Sequence, residues 1–176
     1  MHVRDARPSD AEALAAIYRP AVTEGFASFE LQAPGPEAMA ERVAHTQASH
    51  PWLVACAGER VLGYAYATPH RARAAYAWSV ETSVYVGADA QGRGVGRILY
   101  EALLTQLRTR GFRVAIAGIA LPNAPSVRLH EALGFEQAGV LRGVGYKGGA
   151  WRDVGYWQRV LQDLPQPPPA PSLTRT

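Results

Sequence analysis

The sequence predicts an α/β fold: a mixed central β-sheet with helices on both faces, in one domain over residues 1–162, followed by a Pro-rich flexible tail at 163–176. Three observations carry that expectation. Strand-like runs of period two alternate with helical runs in the order β-α-α-β-β-β-α-β-α-β-β, a layout that packs helices against a sheet. One of those strands, Trp78 to Val86, leads through the Gly-rich turn Gln91-Gly92-Arg93-Gly94-Val95-Gly96 into a helix. No segment repeats, and 176 residues with 48% hydrophobic content suffice to bury one core.

Each element has a local reason. Val3 to Arg7 reads as a short strand. Ser9 and Glu12 then match a capping box, opening a helix whose stripe is Leu14, Ile17, Tyr18 and Ala21. Gly25 to Gly35 is a loop carrying Phe26, Phe29 and Glu30, and Pro36 suits the first turn of a second helix running to about His45. Trp52–Ala57 and Val61–Ala67 form two strands around Gly58-Glu59-Arg60, a hairpin signal. In the next run Trp78, Val80, Thr82, Val84 and Val86 share one face, with Ser79, Glu81, Ser83 and Tyr85 on the other. A helix over Arg97–Arg110 stops at Gly111, Val114–Ala120 is a short buried strand, and Ser126 reads as the N-cap of a helix ending at Gly134. Arg142–Lys147 and Trp151–Leu161 close the domain as a hairpin turning at Gly148-Gly149. The tail Pro-Gln-Pro-Pro-Pro-Ala-Pro has no side chains to build a core and reads as an extended, mobile end.

Composition narrows the function classes. The net charge is +3 with no basic run longer than two residues, so no concentrated footprint for nucleic acid is expected. The single cysteine, Cys56, lies in an apolar strand and reads as a buried thiol. The five histidines are scattered without the paired spacing of a zinc site, so no metal is expected. A Gly-x-Ser-x-Gly elbow is missing, which argues against a serine hydrolase. No apolar stretch reaches the ~18 residues of a membrane span, and the polar start Met1-His2-Val3-Arg4-Asp5 lacks the pattern of a signal peptide. The expectation is a cytoplasmic protein without nucleic-acid or membrane partners.

The chemistry-bearing residues cluster in three places. A Gly-rich turn between strand and helix points several main-chain N–H groups in one direction, at the positive end of the helix dipole, and so suits a phosphate or pyrophosphate. An ordinary tight turn is the lesser reading of the motif taken alone. The Walker pattern fails because Arg97-Ile98 follows the last Gly, and the dinucleotide pattern fails because Leu99 stands where a third Gly is needed. Glu81 is a carboxylate in an otherwise largely uncharged strand, roughly 15 Å from its end near Val86 at ~3.3 Å per residue. It is either a solvent-facing residue or a cleft carboxylate able to take a proton from an ammonium group. Beyond the next strand, Asn123 offers a side-chain amide to a ligand, and His130 lies one helical turn past Ser126; a helical His alone is more often a surface or packed residue, but an imidazole can also transfer a proton, and His130 stands beside Glu81 as a candidate catalytic residue. The loop His70-Arg71-Ala72-Arg73-Ala74-Ala75-Tyr76 is either a solvated basic loop or, through Arg71 and Arg73, a clamp for an anionic group.

Together, Gln91-x-x-Gly94-x-Gly96 and Asn123-x-x-Ser126-x-x-x-His130-x-x-x-Gly134-Phe135 resemble the GNAT superfamily of acyl-CoA N-acyltransferases. Most of that superfamily has Tyr where His130 stands. The His variant, with Tyr64-Ala65-Tyr66-Ala67, Arg71-Ala72-Arg73, Tyr76, Glu81, Leu121-Pro122-Asn123 and Lys147-Gly148-Gly149-Ala150-Trp151, resembles the phosphinothricin N-acetyltransferase family, from about Val3 to about Leu161. The resemblance implies a GNAT-like sheet and a homodimer. It also implies acetyl transfer from acetyl-CoA to the α-amino group of a glutamate-like amino acid such as phosphinothricin, methionine sulfoximine or methionine sulfone. It implies Glu81 as general base, His130 near the thioester, and Phe29, Arg71, Arg73 and Tyr76 around the acceptor. Acetyl-CoA would then be held by Gln91, Gly92, Arg93, Gly94, Val95 and Gly96, by the main chain of Val84 and Val86, and by Asn123 and Ser126. Family members can carry Lys where Arg71 stands. Two other readings stay open. An activity on another amine, such as a polyamine, is disfavoured by the Arg71/Arg73 pair. A non-catalytic acyl-CoA-binding module is disfavoured by Glu81 beside an intact phosphate loop.

Overall fold

The computed structural model describes residues 1–173. The chain runs β1 (His2–Asp5), α1 (Ala11–Thr23), α2 (Pro36–Gln47), β2 (Trp52–Ala57), β3 (Arg60–Pro69), β4 (Ser79–Val86), α3 (Val95–Thr109), β5 (Val114–Leu121), α4 (Ala124–Ala132), β6 (Glu136–Lys147) and β7 (Ala150–Val160). The element order is the expected one. The strands form one seven-stranded sheet in the order β1-β2-β3-β4-β5-β7-β6. All neighbours are antiparallel except β4 and β5, which run parallel.

Alternation along the strands builds two cores. Ala65 and Ala67 of β3 face α3, where Leu99, Tyr100, Leu103 and Leu107 are buried against Leu53, Val80, Phe112 and Ala115. Tyr64 faces the other side with Trp52, Val54 and Cys56, against Leu14, Tyr18, Val22, Met39 and Val43 of α1 and α2. Small residues on one face of β3 let α3 lie close, while the opposite face carries an aromatic stack, Trp52 on Tyr66 at 4.2 Å between ring centroids. Cys56 is a free, buried thiol, as expected.

Four local expectations change. The first strand ends at Asp5, because the chain turns through a 3₁₀ segment at Pro8–Asp10. There the Asp10 carboxylate, not Ser9, takes the local bonds: Arg7 N donates to it at 2.7 Å and both Arg4 guanidinium nitrogens at 2.7 and 2.8 Å. β6 starts at Glu136, well before Arg142, and stays paired to β7 through two register shifts. The segment expected to be a mobile tail is extended but returns along the fold: Trp78 Nε1 donates to Pro169 O at 2.7 Å, and Ser172 N to Arg110 O at 2.7 Å. Residues 174–176 of that tail lie outside the described residues.

Candidate active site

The sheet forks at Glu81. β4 and β5 pair at Ser79↔Val114, Val80↔Ala115 and Glu81↔Ile116 and no further, although the two strands continue to Val86 and Leu121. Gly87 N donates to Leu62 O and His70 N to Ser79 O, so the main-chain groups of odd-numbered β4 residues face β3. By strand alternation, those of Thr82, Val84 and Val86 face the β5 side, and the Glu81↔Ile116 pairing takes up the Thr82 N–H. Beyond the fork, among the described residues, no strand pairs with those of Val84 and Val86 on that side. Gln91 Nε2 donates to Val86 O at 3.3 Å. A widening slot lined by main-chain donors and acceptors thus runs from Glu81 to the Gly-rich turn.

At the end of that slot Gly92 and Gly94 have φ of +70° and +78°, and a Cβ built on either would meet nothing within 4 Å. Glycine is required here by backbone conformation, and the space over the loop is open. Gly96 serves packing instead, since a Cβ there would come 3.1 Å from Leu129 Cδ2 of α4. α3 starts at Val95, so its unpaired first-turn amides complete the cradle.

Glu81 lies on the α1/α2 face of the sheet, opposite Thr68 of β3. Its carboxylate is 43% exposed and 2.9 Å from His70 Nδ1. His70 in turn packs edge-on against Tyr76, 5.6 Å between centroids. Sequence reasoning passed over His70 in favour of its neighbours, yet in a hairpin pairing Thr68 with Glu81 the next residue on that face is His70. Arg71, Arg73 and Tyr76 are exposed on the loop that His70 ties to Glu81.

The α1–α2 loop closes the site from the other side. Phe29 sits on it with its ring over Gly145 of β6, where a Cβ would overlap the ring. Tyr18 Oη lies 2.6 Å from Ser28 Oγ and donates to Glu30 Oε1 at 2.8 Å, while Arg42 grips both Glu30 oxygens at 2.7 and 2.9 Å. The Arg42 guanidinium holds the Glu30 carboxyl below the usual carboxylate range, and burial pushes the Tyr18 phenol up to about 12. Lys147 Nζ donates to Ser28 O at 2.6 Å and to Glu30 O at 2.8 Å. A cavity of about 190 Å³ lies between α1, α2 and the sheet, bordered by Tyr18, Arg42, Tyr66 and Thr68. It joins Glu81's cross-strand neighbour to the anchors of the Phe29 loop. A larger hollow, about 450 Å³, lies among Thr105, Arg108, Thr109 and Gln162 at the far end of α3 and contains none of these residues.

One expectation around α4 is revised. Asn123, not Ser126, is the N-cap: its Oδ1 accepts from Ser126 N at 3.2 Å. His130 is 3% exposed with both ring nitrogens engaged. Nδ1–H donates to Ser126 O at 2.7 Å, which leaves Nε2 to accept from Tyr100 Oη at 2.7 Å. Burial lowers its pKa below the ordinary imidazole value, opposed by the Ser126 bond. The ring meets a reacting group only by giving up one of these bonds. Tyr100 Oη also lies 3.3 Å from Thr82 Oγ1, whose own proton goes to Ile116 O at 3.1 Å, so the one Tyr100 proton is shared between His130 Nε2 and Thr82 Oγ1. The His130–Tyr100–Thr82 chain therefore braces the root of the fork. Among the described residues, no group of three or more His, Cys, Asp or Glu side chains is placed to hold a metal ion.

A forked β4/β5 pair feeding a Gly-rich turn is the architecture of an acetyltransferase, and the family model for the acetyltransferase (GNAT) domain matches residues 3–155. The chain belongs to the GNAT family. Within it, the chain is 42% identical to phosphinothricin N-acetyltransferase of Streptomyces viridochromogenes, over 96% of this chain and 91% of that one. It is 39% identical to the L-methionine sulfoximine/L-methionine sulfone acetyltransferase of Pseudomonas paraeruginosa, over 89% and 92% of the two chains. Among solved structures it matches a phosphinothricin acetyltransferase from Sinorhizobium meliloti in complex with acetyl-CoA, with a TM-score of 0.87 and 37% identity over 90% of this chain and 87% of the other.

Proposed function

We propose that the protein transfers acetyl from acetyl-CoA to the α-amino group of a small glutamate-like amino acid of the phosphinothricin, methionine sulfoximine or methionine sulfone type. The observation that carries this reading is Glu81 at the fork, hydrogen-bonded to His70 and facing the cavity side of the sheet. Glu81 accepts a proton from the acceptor's ammonium group, directly or through water, and the freed amine displaces coenzyme A from the acetyl carbonyl. The residues present fit acetyl-CoA. The Gln91–Gly96 loop and the first turn of α3 suit its pyrophosphate, and the open main-chain edge at Val84 and Val86 suits its pantetheine arm and thioester. Asn123 and Ser126 border the opposite lip, with Asn123 acting through its cap. We read His130 as a brace that positions Thr82 through Tyr100.

Arg71, Arg73, Tyr76 and Phe29 flank the acceptor, with the two guanidinium groups suited to its anionic ends. Much of the rate enhancement comes from holding amine and thioester together. The activities of these relatives support the amino-acid class. A homodimer is supported by the apolar side chains left exposed on the β6–β7 hairpin, Leu141, Val144, Tyr146 and Trp151, the last 68% exposed. Light scattering should give twice the chain mass, and a monomer would remove that part of the reading. Among the described residues no helix is long and apolar enough to cross a membrane, and a cytoplasmic location is our proposal. An acetyl-CoA turnover screen should find phosphinothricin, methionine sulfoximine or methionine sulfone ahead of ordinary amino acids and polyamines. Preference for a polyamine would refute the acceptor class.

A further inference from the structure

We propose that Lys147 is the latch of the acceptor site: its ammonium holds the Ser28–Glu30 segment down over the cavity beside Glu81 and so sets the affinity for the acceptor. The inference rests on the reading of that cavity side as the acceptor side. Lys147 is the last residue of β6 and only 8% exposed. A buried ammonium is costly unless it is hydrogen-bonded. Here the recorded acceptors are two main-chain carbonyls, Ser28 O and Glu30 O, more than a hundred residues away in sequence. The Glu30 carboxylate is engaged by Arg42 and Tyr18. Lys147 therefore reads the path of the loop backbone, which a surface ion pair would not do.

The two carbonyls flank Phe29. Gly145, two residues before Lys147 on the same strand, provides the flat surface on which the Phe29 ring rests. Arg152 of β7 stacks over Phe26 at 4.1 Å, and its Nε donates to Lys147 O at 3.3 Å. The segment is thus held from two sides. Tyr18 and Arg42 anchor it to the α1/α2 half of the fold, and Lys147, Gly145 and Arg152 anchor it to the hairpin across the fork. Leu31 is 80% exposed, so the Phe29 ring on Gly145 is the segment's main apolar contact. A loop with few buried contacts opens locally at low cost, and the charge-assisted bonds decide its closure.

The test is steady-state kinetics with one amino-acid acceptor, on the full chain. Lys147→Met keeps the stem and removes the donors. The acceptor KM should rise about tenfold or more, while the acetyl-CoA KM stays within about twofold and kcat at saturating acceptor within about threefold. Lys147→Arg should recover part of the lost affinity, because it keeps the donors but not the compact ammonium. Gly145→Ala dislodges the Phe29 ring with Lys147 intact and should give the same split, which decides the matter if Lys147→Met fails to fold. An unchanged acceptor KM in Lys147→Met, or in Gly145→Ala if Lys147→Met does not fold, would overturn the latch while leaving the proposed activity standing. A rise in the acetyl-CoA KM instead would overturn both the latch and the placing of the acceptor on this side.

Discussion

Lowering the pH from 7.5 to 5.5 should destabilise the fold by an amount traceable to two histidines. His50 and His130 are 6% and 3% exposed. Burial lowers the pKa of both rings, with Arg110 adding to the effect at His50 and the Ser126 carbonyl opposing it at His130. Both rings therefore stay neutral to lower pH in the native state than in the unfolded chain, which takes up protons below about 6.5. The unfolded state then binds more protons, so stability rises with pH. The contribution is complete above about 6.5 and is lost as pH falls toward the folded-state values. The loss between pH 7.5 and 5.5 is therefore at most about 1.4 kcal/mol per ring and about 2.7 kcal/mol for the two. At roughly 2–4 °C per kcal/mol for a chain of this size, the Tm should fall by no more than about 10 °C. Asp10 and Glu30 do not blur this window. Arg4 and Arg42 hold their carboxyls low, so their contribution is present above the ordinary carboxylate value of about 4 and is lost only below it. The assay is urea or thermal unfolding at pH 7.5, 6.5 and 5.5 for the wild type, His130→Gln and the double variant with His50→Gln. The single variant should lose about half of the pH slope, whatever its stability at pH 7.5. A double variant with the wild-type slope would refute the reasoning.

Two further predictions concern the substrates. Gly94→Ala meets no neighbour, so its cost is the left-handed backbone alone, about 1–2 kcal/mol; the acetyl-CoA Kd from calorimetry should rise as the loop relaxes, and an unchanged Kd would remove this turn from the site. Arg73→Ala should raise the acceptor KM and leave the acetyl-CoA Kd nearly intact, whereas a loss of acetyl-CoA affinity would assign that loop to the cofactor side.

The fold was legible because its signals are local. Alternation in Trp78–Val86, the helical stripe after it and the Gly-rich turn between them each depend on a few neighbouring residues. Positions that depend on pairing were harder. His70 acquires its meaning only from the β3–β4 register, which carries it to Glu81. Asn123 and Ser126 are both good caps three residues apart, and Pro125 within the first turn moves the helix start to the earlier one. Ser9 looked like a cap, but Asp10 next to it has Arg4 across the turn. The glycines of β6 disguised a strand held by long-range pairing to β7. Lys147 reaches the Phe29 loop across most of the chain, and no local pattern encodes that contact. His130 shows the opposite limit. Its motif position was visible, but its burial against Tyr100 depends on how α3 and α4 pack.

The most direct test of Glu81 as the base is the pH–rate profile of Glu81→Gln beside the wild type, with a single amino-acid acceptor. The amide keeps the shape and can still meet His70, so folding and acetyl-CoA binding should survive. Turnover near neutral pH should fall by roughly 10²–10⁴, the range for one positioned base. The deficit should shrink as the pH approaches the acceptor amine's own pKa, because the free amine then forms without help. A Glu81→Gln enzyme that turns over at the wild-type rate at neutral pH would contradict the account.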